Sequence, residues 1–373
     1  MNKNLLTRRA WLKIALGTAA LPPAVSALSG CANLIDVLGQ TCPEDPADSG
    51  GIDWTPDVLH PVQPGSQEYD VANGAPGPLR IFYPTYATQP NPTFPILKLC
   101  LVRYPVVLFL HGQPPRDCSP AAVADYYRRW TVLPLVLARS GYVVVVPKHT
   151  ADLPQDPESP DATYVLSVLD WVRNGWEHRR WVDAHAEATA VAGHSYGALL
   201  AARVRKLRPT ISAFVGLSGP WTELPDTTAV LQSIAPPSFF MWGTDTIPPE
   251  GLFPGPLWDA VPFGKTAAAF FGDHFDYITT WPGCSFARGS CSIMDLVAAE
   301  LVALFISRHV PVNLSHAPIP PSLIPPAVTL TEKQKQFAGG HLIFIKQAAN
   351  TRGCSIDLTW NDPLDTGSRH IGP

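Results

Sequence analysis

The chain has 373 residues, 46% of them hydrophobic and 16% charged, with a formal net charge of −4. This mildly acidic balance comes with no basic run, which argues against nucleic acid or polyanion partners. The 41 prolines are unusually many and concentrate in loops and at both ends, where they lower the entropy of the unfolded chain.

The first thirty residues read as an address. Arg8-Arg9 precedes an apolar run from Ile14 to Ala20 and small residues up to Ser29-Gly30, the pattern of a twin-arginine secretion signal. The run is too short to span a bilayer, and Pro22-Pro23 interrupts it. Leu28-Ser29-Gly30-Cys31 resembles a lipobox, in which Cys31 would become the lipid-modified first residue after cleavage. Acylation there would tether the protein to a membrane surface rather than thread it through one. The expected location is therefore exported: a cell-envelope lipoprotein, or a periplasmic or extracellular protein. Removal of residues 1–30 takes away Lys3, Arg8, Arg9 and Lys13 and no acid, moving the balance from −4 to −8.

Residues 31–58 read as a tether, 59–310 as one α/β domain, and 311–373 as a proline-rich linker with a small C-terminal extension. Pro78 to Tyr83 is expected to be an early strand, and Tyr104 to Leu110 (YPVVLFL) a parallel strand covered on both faces. Helix is expected from Pro120 to Arg139, broken at Pro134, and strand from Val143 to Val146. A helix over Asp161 to Trp176 follows, with apolar residues at roughly helical spacing. Strands are expected at Ile211–Leu217, Ser238–Trp242 and Thr266–Phe271, with a closing helix over Ser292–Arg308. In the tail, His341–Gln347 and Ser355–Trp360 read as short strands. Such alternation implies a mostly parallel sheet flanked by helices.

The stretch around which this order is organised is Ala188–Arg203, ATAVAGHSYGALLAAR. A strand, a sharp G-x-S-x-G turn and an Ala/Leu-rich helix follow one another there, which is the nucleophile elbow. Gly193 and Gly197 stand where a Cβ would collide with the neighbouring strand or helix, and Ser195 is the candidate nucleophile. A serine hydroxyl needs a base, and the base needs an acid to hold its tautomer. In the chain order serine, acid, histidine, His274 after the strand Thr266–Phe271 is the candidate base. Asp245, at the end of the strand Ser238–Trp242, is the candidate acid, with Glu223 as runner-up. Asp273 and Asp276 flank His274 too closely to orient its ring. Two backbone amides should bind the oxyanion: Tyr196, directly after the serine, and Gln113 in the loop after YPVVLFL, with Gly112 as fallback because prolines follow. His111 and His194 read as structural rather than catalytic, each held in a turn beside the site with no acid placed to serve it.

Without Cys31, six cysteines remain, an even number that in an exported chain favours disulfides. Cys284 and Cys291 are close enough to staple their own loop. Neither a metal site nor a cofactor is expected.

The strand–HG–loop, GHSYGA at 193–198, WGTD at 242–245 and GDHF at 272–275 occur in this order and resemble the α/β-hydrolase superfamily. Within it, residues 66–310 are similar to secreted bacterial cutinase-like and polyester-hydrolase-like esterases and to the dienelactone-hydrolase and platelet-activating-factor-acetylhydrolase branch. The resemblance implies an α/β-hydrolase fold and a serine carboxylic-ester hydrolase. It would act as a monomer on a small-molecule, lipid or polyester ester through an acyl-enzyme. It also implies that Trp221, in Gly219-Pro220-Trp221, is an aromatic clamp beside the scissile ester, where the other role open to it is packing. Two departures stand out: the Pro-, Gly- and aromatic-rich segment Ile247–Pro262, and the tail beyond residue 310. A thioesterase or peptidase would use the same machinery. A surface-binding lipoprotein with an idle site is the alternative of a different class.

Overall fold

The computed structural model describes residues 63–85, 103–114, 118–150, 160–223, 226–234, 237–243, 256–262, 264–270, 274–275, 277, 294–310, 312, 356–361 and 368–371. Asp245, Cys31, Cys284, Cys291 and the strand expected at 341–347 lie outside them.

Among the described residues ten strands form one sheet: β1 (Gln63–Tyr69), β2 (Leu79–Thr85), β3 (Val106–Leu110), β4 (Val143–Pro147), β5 (Thr189–His194), β6 (Ala213–Leu217), β7 (Ser238–Gly243), β8 (Lys265–Phe270), β9 (Ile356–Asn361) and β10 (Ser368–Ile371). Their order in the sheet is β1-β2-β4-β3-β5-β6-β7-β8-β9-β10. From β4 to β8 every neighbouring pair is parallel, and the two strands at each edge pair antiparallel. The sheet is thus mostly parallel, as the strand–helix alternation implies. The C-terminal strands extend it, β9 pairing with β8.

Continuous apolar runs form the central strands because both faces are covered. Val107 and Phe109 of β3 and Val144 and Val146 of β4 enter one core; Val106, Leu108, Leu110, Val143 and Val145 enter the other. All five residues of β3 are fully buried, each stabilising by roughly 1.5–3 kcal/mol. Helices α1 (Pro120–Ala124), α2 (Tyr126–Arg129), α3 (Val132–Arg139) and α8 (Met294–His309) cover the first face. On the second lie α4 (Pro160–Asn174), α5 (Tyr196–Leu207), α6 (Thr227–Ser233) and α7 (Pro256–Ala260). The Tyr142 hydroxyl donates to the Val310 carbonyl at 2.7 Å, tying the end of α8 to the start of β4.

One expected element differs in detail. The helix expected over 120–139 is three short helices, with breaks at Asp125 and at Trp130–Thr131 and not at Pro134. Pro134 sits in the first turn of α3, where its missing N–H has no intrahelical partner to lose. Trp130 leaves the helix to pack between Phe109 and His194, with ring centroids at 4.7 and 4.9 Å.

Candidate active site

β3 and β5 are neighbours, yet the chain leaves β3 toward β4 on one side and leaves β5 toward β6 on the other. The crevice at the carboxyl ends of two such strands is where ligands bind in open α/β sheets. His111-Gly112-Gln113 follows β3 and Ser195 follows β5, so the sheet brings both segments to that crevice.

Ser195 joins β5 to α5 with φ 56° and ψ −129°, a conformation that L-residues rarely hold. Its surroundings fix it there. Its N–H donates to the Leu217 carbonyl at 2.8 Å, and its own carbonyl accepts from Ala198 N–H at 2.8 Å. The glycines on either side permit the tight passage. A Cβ on Gly193 would stand 2.1 Å from the Gly197 carbonyl oxygen. Ser195 is 7% exposed, and Tyr196 supplies the first amide of α5.

Gly112 lies against the serine: a Cβ on it would stand 2.7 Å from Ser195 Cβ. The Gly112 carbonyl accepts from His111 Nδ1–H at 2.8 Å, while His111 Nε2 accepts from His149 N–H at 3.4 Å. Both bonds require one neutral tautomer, with the proton on Nδ1. Burial pushes the His111 pKa down to about 4, which keeps that tautomer neutral. The His149 ring stacks on it, centroids 3.9 Å apart, and burial likewise holds His149 well below its ordinary pKa. In a trans peptide the N–H points opposite to the C=O, so this bond also fixes the direction of the exposed Gln113 amide, away from the His111 ring.

His274 is half-buried, and its ring centroid is 4.6 Å from that of His194. The buried His194 ring donates Nε2–H to the His274 carbonyl at 2.8 Å. Tyr277, three residues on, accepts from the Ser218 hydroxyl at 3.2 Å. Ser218 itself follows β6 with φ 44° and donates its N–H to Met241 at 2.7 Å.

Ser195, Tyr196, Gly112, Gln113 and His274 are thus drawn to one end of the sheet. β7 ends at Gly243, two residues before Asp245 and two strands from β5. Glu223 is engaged by the Tyr196 hydroxyl, which donates to Oε2 at 2.8 Å. Trp221 is buried, packing edge-on against Phe214 and Phe240 at 6.3 and 5.7 Å, which is the packing role open to it. Sequence reading missed His149, Ser218 and Tyr277. Only the place of His149 and Ser218 just past apolar strands marks them in the sequence.

Cys118, just before α1, is disulfide-bonded to a partner outside the described residues. Among the described residues no cluster of His, Cys, Asp and Glu could hold a metal, and no helix is long and apolar enough to cross a membrane. Compared with known proteins, the chain matches no family model and no curated protein.

Proposed function

We propose that this chain is a serine hydrolase of carboxylic esters with an α/β-hydrolase fold. The observation that carries the reading is Ser195 at φ 56° and ψ −129° between β5 and α5, held there by its hydrogen bonds to Leu217 and Ala198, with glycines on both sides permitting the tight passage. That backbone is held against its own preference, and such strain concentrates where a side chain must be presented for chemistry. The strand order β1-β2-β4-β3-β5-β6-β7-β8 supports the reading: Ser195 follows β5, β7 ends two residues before Asp245 in the chain and β8 four before His274, which agrees with the chain order serine, acid, histidine.

In this reading Ser195 Oγ attacks the ester carbonyl while His274 takes its proton. Asp245 holds the imidazole tautomer and stabilises the imidazolium. The amides of Tyr196 and Gln113 bind the oxyanion, and the His111–Gly112 bond sets the second of these in advance. Collapse of the tetrahedral intermediate breaks the ester C–O bond. His274 returns the proton to the leaving alkoxide, and the alcohol departs from an acyl-enzyme. Water then attacks the acyl group with His274 again as base, which releases the carboxylic acid and restores Ser195. No step needs a cofactor.

The reading extends to an exported lipoprotein carried by Arg8-Arg9 and Cys31 and acting as a monomer on small-molecule, lipid or polyester esters. Replacing Cys31 by serine should then release a soluble form from the membrane fraction. The direct test is hydrolysis of nitrophenyl esters of graded chain length. Wild type should turn over at least one of the series, and Ser195→Ala should lose several orders of magnitude in kcat. Substantial activity in folded Ser195→Ala would overturn the assignment.

A further inference from the structure

We propose that His194, the residue before the nucleophile, is a positioning residue that fixes the backbone of His274 through its Nε2–H···O=C bond. This rests on the serine-hydrolase reading, in which His274 is the base. The bond is 2.8 Å long, and it joins the last residue of β5 to a segment eighty positions further along the chain. A carbonyl oxygen only accepts, so the His194 proton must lie on Nε2. Burial, and to a lesser degree the neighbouring His274 and His111, hold His194 neutral. Nδ1 is therefore a bare acceptor, and it is buried with no hydrogen-bond partner. A side chain chosen only to fill this space would carry no such orphan. Imidazole is explained by the one bond that Nε2 makes.

The placement follows from strand periodicity. Ala190, Ala192 and His194 point to the same face of β5, and the two alanines lie in the core that α8 also covers. His194 ends the strand. There the imidazole is enclosed by Trp130, Tyr277 and His274, with centroids at 4.9, 5.3 and 4.6 Å. Because His194 and Ser195 share a peptide bond, a displacement of the nucleophile carries the His274 backbone with it. The Ser218–Tyr277 bond gives the same segment a second tie, from the end of β6. Nucleophile and base are thereby held by one frame, and catalysis is sensitive to misplacements of about 1 Å in such a pair.

The test compares His194→Phe, His194→Gln and His194→Asn. Phenylalanine fills the space without a donor. Glutamine places an amide N–H near the Nε2 position, and asparagine is too short to reach. Each variant is checked for folding by circular dichroism and thermal melting. It is then assayed for kcat and KM on a nitrophenyl ester, and for the rate of labelling by a fluorophosphonate. The expected result is at least a tenfold loss of kcat and of labelling rate in His194→Phe and His194→Asn, with KM within about twofold and most of the rate recovered in His194→Gln. Equal rates in wild type and a folded His194→Phe overturn the proposal. If the phenylalanine variant does not fold, equal rates in the glutamine and asparagine variants overturn it. A wild type that neither turns over ester nor labels instead removes the serine-hydrolase reading, and this proposal with it.

Discussion

Gly197 lies against the end of β3 so closely that a Cβ on it would stand 2.1 Å from the Leu110 carbonyl oxygen. The obstacle is backbone of a central strand and cannot swing aside as a side chain would. Gly197→Ala should destabilise the protein by at least about 3 kcal/mol, at or beyond the upper end of overpacking costs. Gly74 provides the control. It has φ 78° and nothing within 4 Å of a Cβ, so Gly74→Ala should cost only about 1 kcal/mol. Denaturant melts of the two variants check this, and equal losses would contradict it.

Ser195 holds φ 56° without the freedom of glycine. Ser195→Gly should relieve strain that Ser195→Ala retains, leaving the glycine variant more stable by about 1 kcal/mol while both are inactive. Thermal melts of the pair decide it; an alanine variant as stable as the glycine one would show that the turn is unstrained.

Much of the frame that carries Ser195 was legible in the sequence. The runs YPVVLFL and VVVV are apolar at every position because helices cover both faces, and the strand–turn–helix around GHSYG marks the site. Its neighbours were less legible. The β1 segment QPGSQEY has neither alternation nor an apolar run; it is a strand because each residue from Gln63 to Tyr69 pairs with β2. The break at Trp130 follows from Trp130 entering the core, a tertiary demand that helix propensity does not carry. His149 meets His111 across thirty-eight positions, and the strain at Ser218 belongs to φ alone. Contacts of that kind have no local pattern to read.

The acid can be assigned by a pair of substitutions. Asp245→Asn should lower kcat strongly by releasing the imidazole tautomer; a drop on the order of 10⁴-fold has been the result of such a change in a serine triad. Glu223→Gln keeps an acceptor for the Tyr196 hydroxyl and should change kcat less than about threefold. The reverse pattern would move the acid to Glu223.

Acid should loosen the site in a defined window. The His111 pKa is pushed down to about 4 from an ordinary 6.5, so between these values the unfolded chain binds a proton that the folded one refuses. Stability is therefore full above about pH 6.5, falls as pH drops through the window, and levels below about pH 4 where both states are protonated. His111 alone contributes a loss of roughly 3 kcal/mol. His149 and His194, also held down by burial, steepen the fall. Urea titrations between pH 7 and pH 4 should show it. His111→Asn, whose amide can still donate to the Gly112 carbonyl, should reduce the slope; an unchanged slope would contradict the assignment.

The most direct measurement is the intact mass of the folded protein after reaction with a fluorophosphonate, followed by peptide mapping. An activated Ser195 predicts one phosphonyl adduct, located on the peptide that carries Gly193 to Gly197, and none in Ser195→Ala. An unmodified wild type, or an adduct that persists in Ser195→Ala, would contradict it.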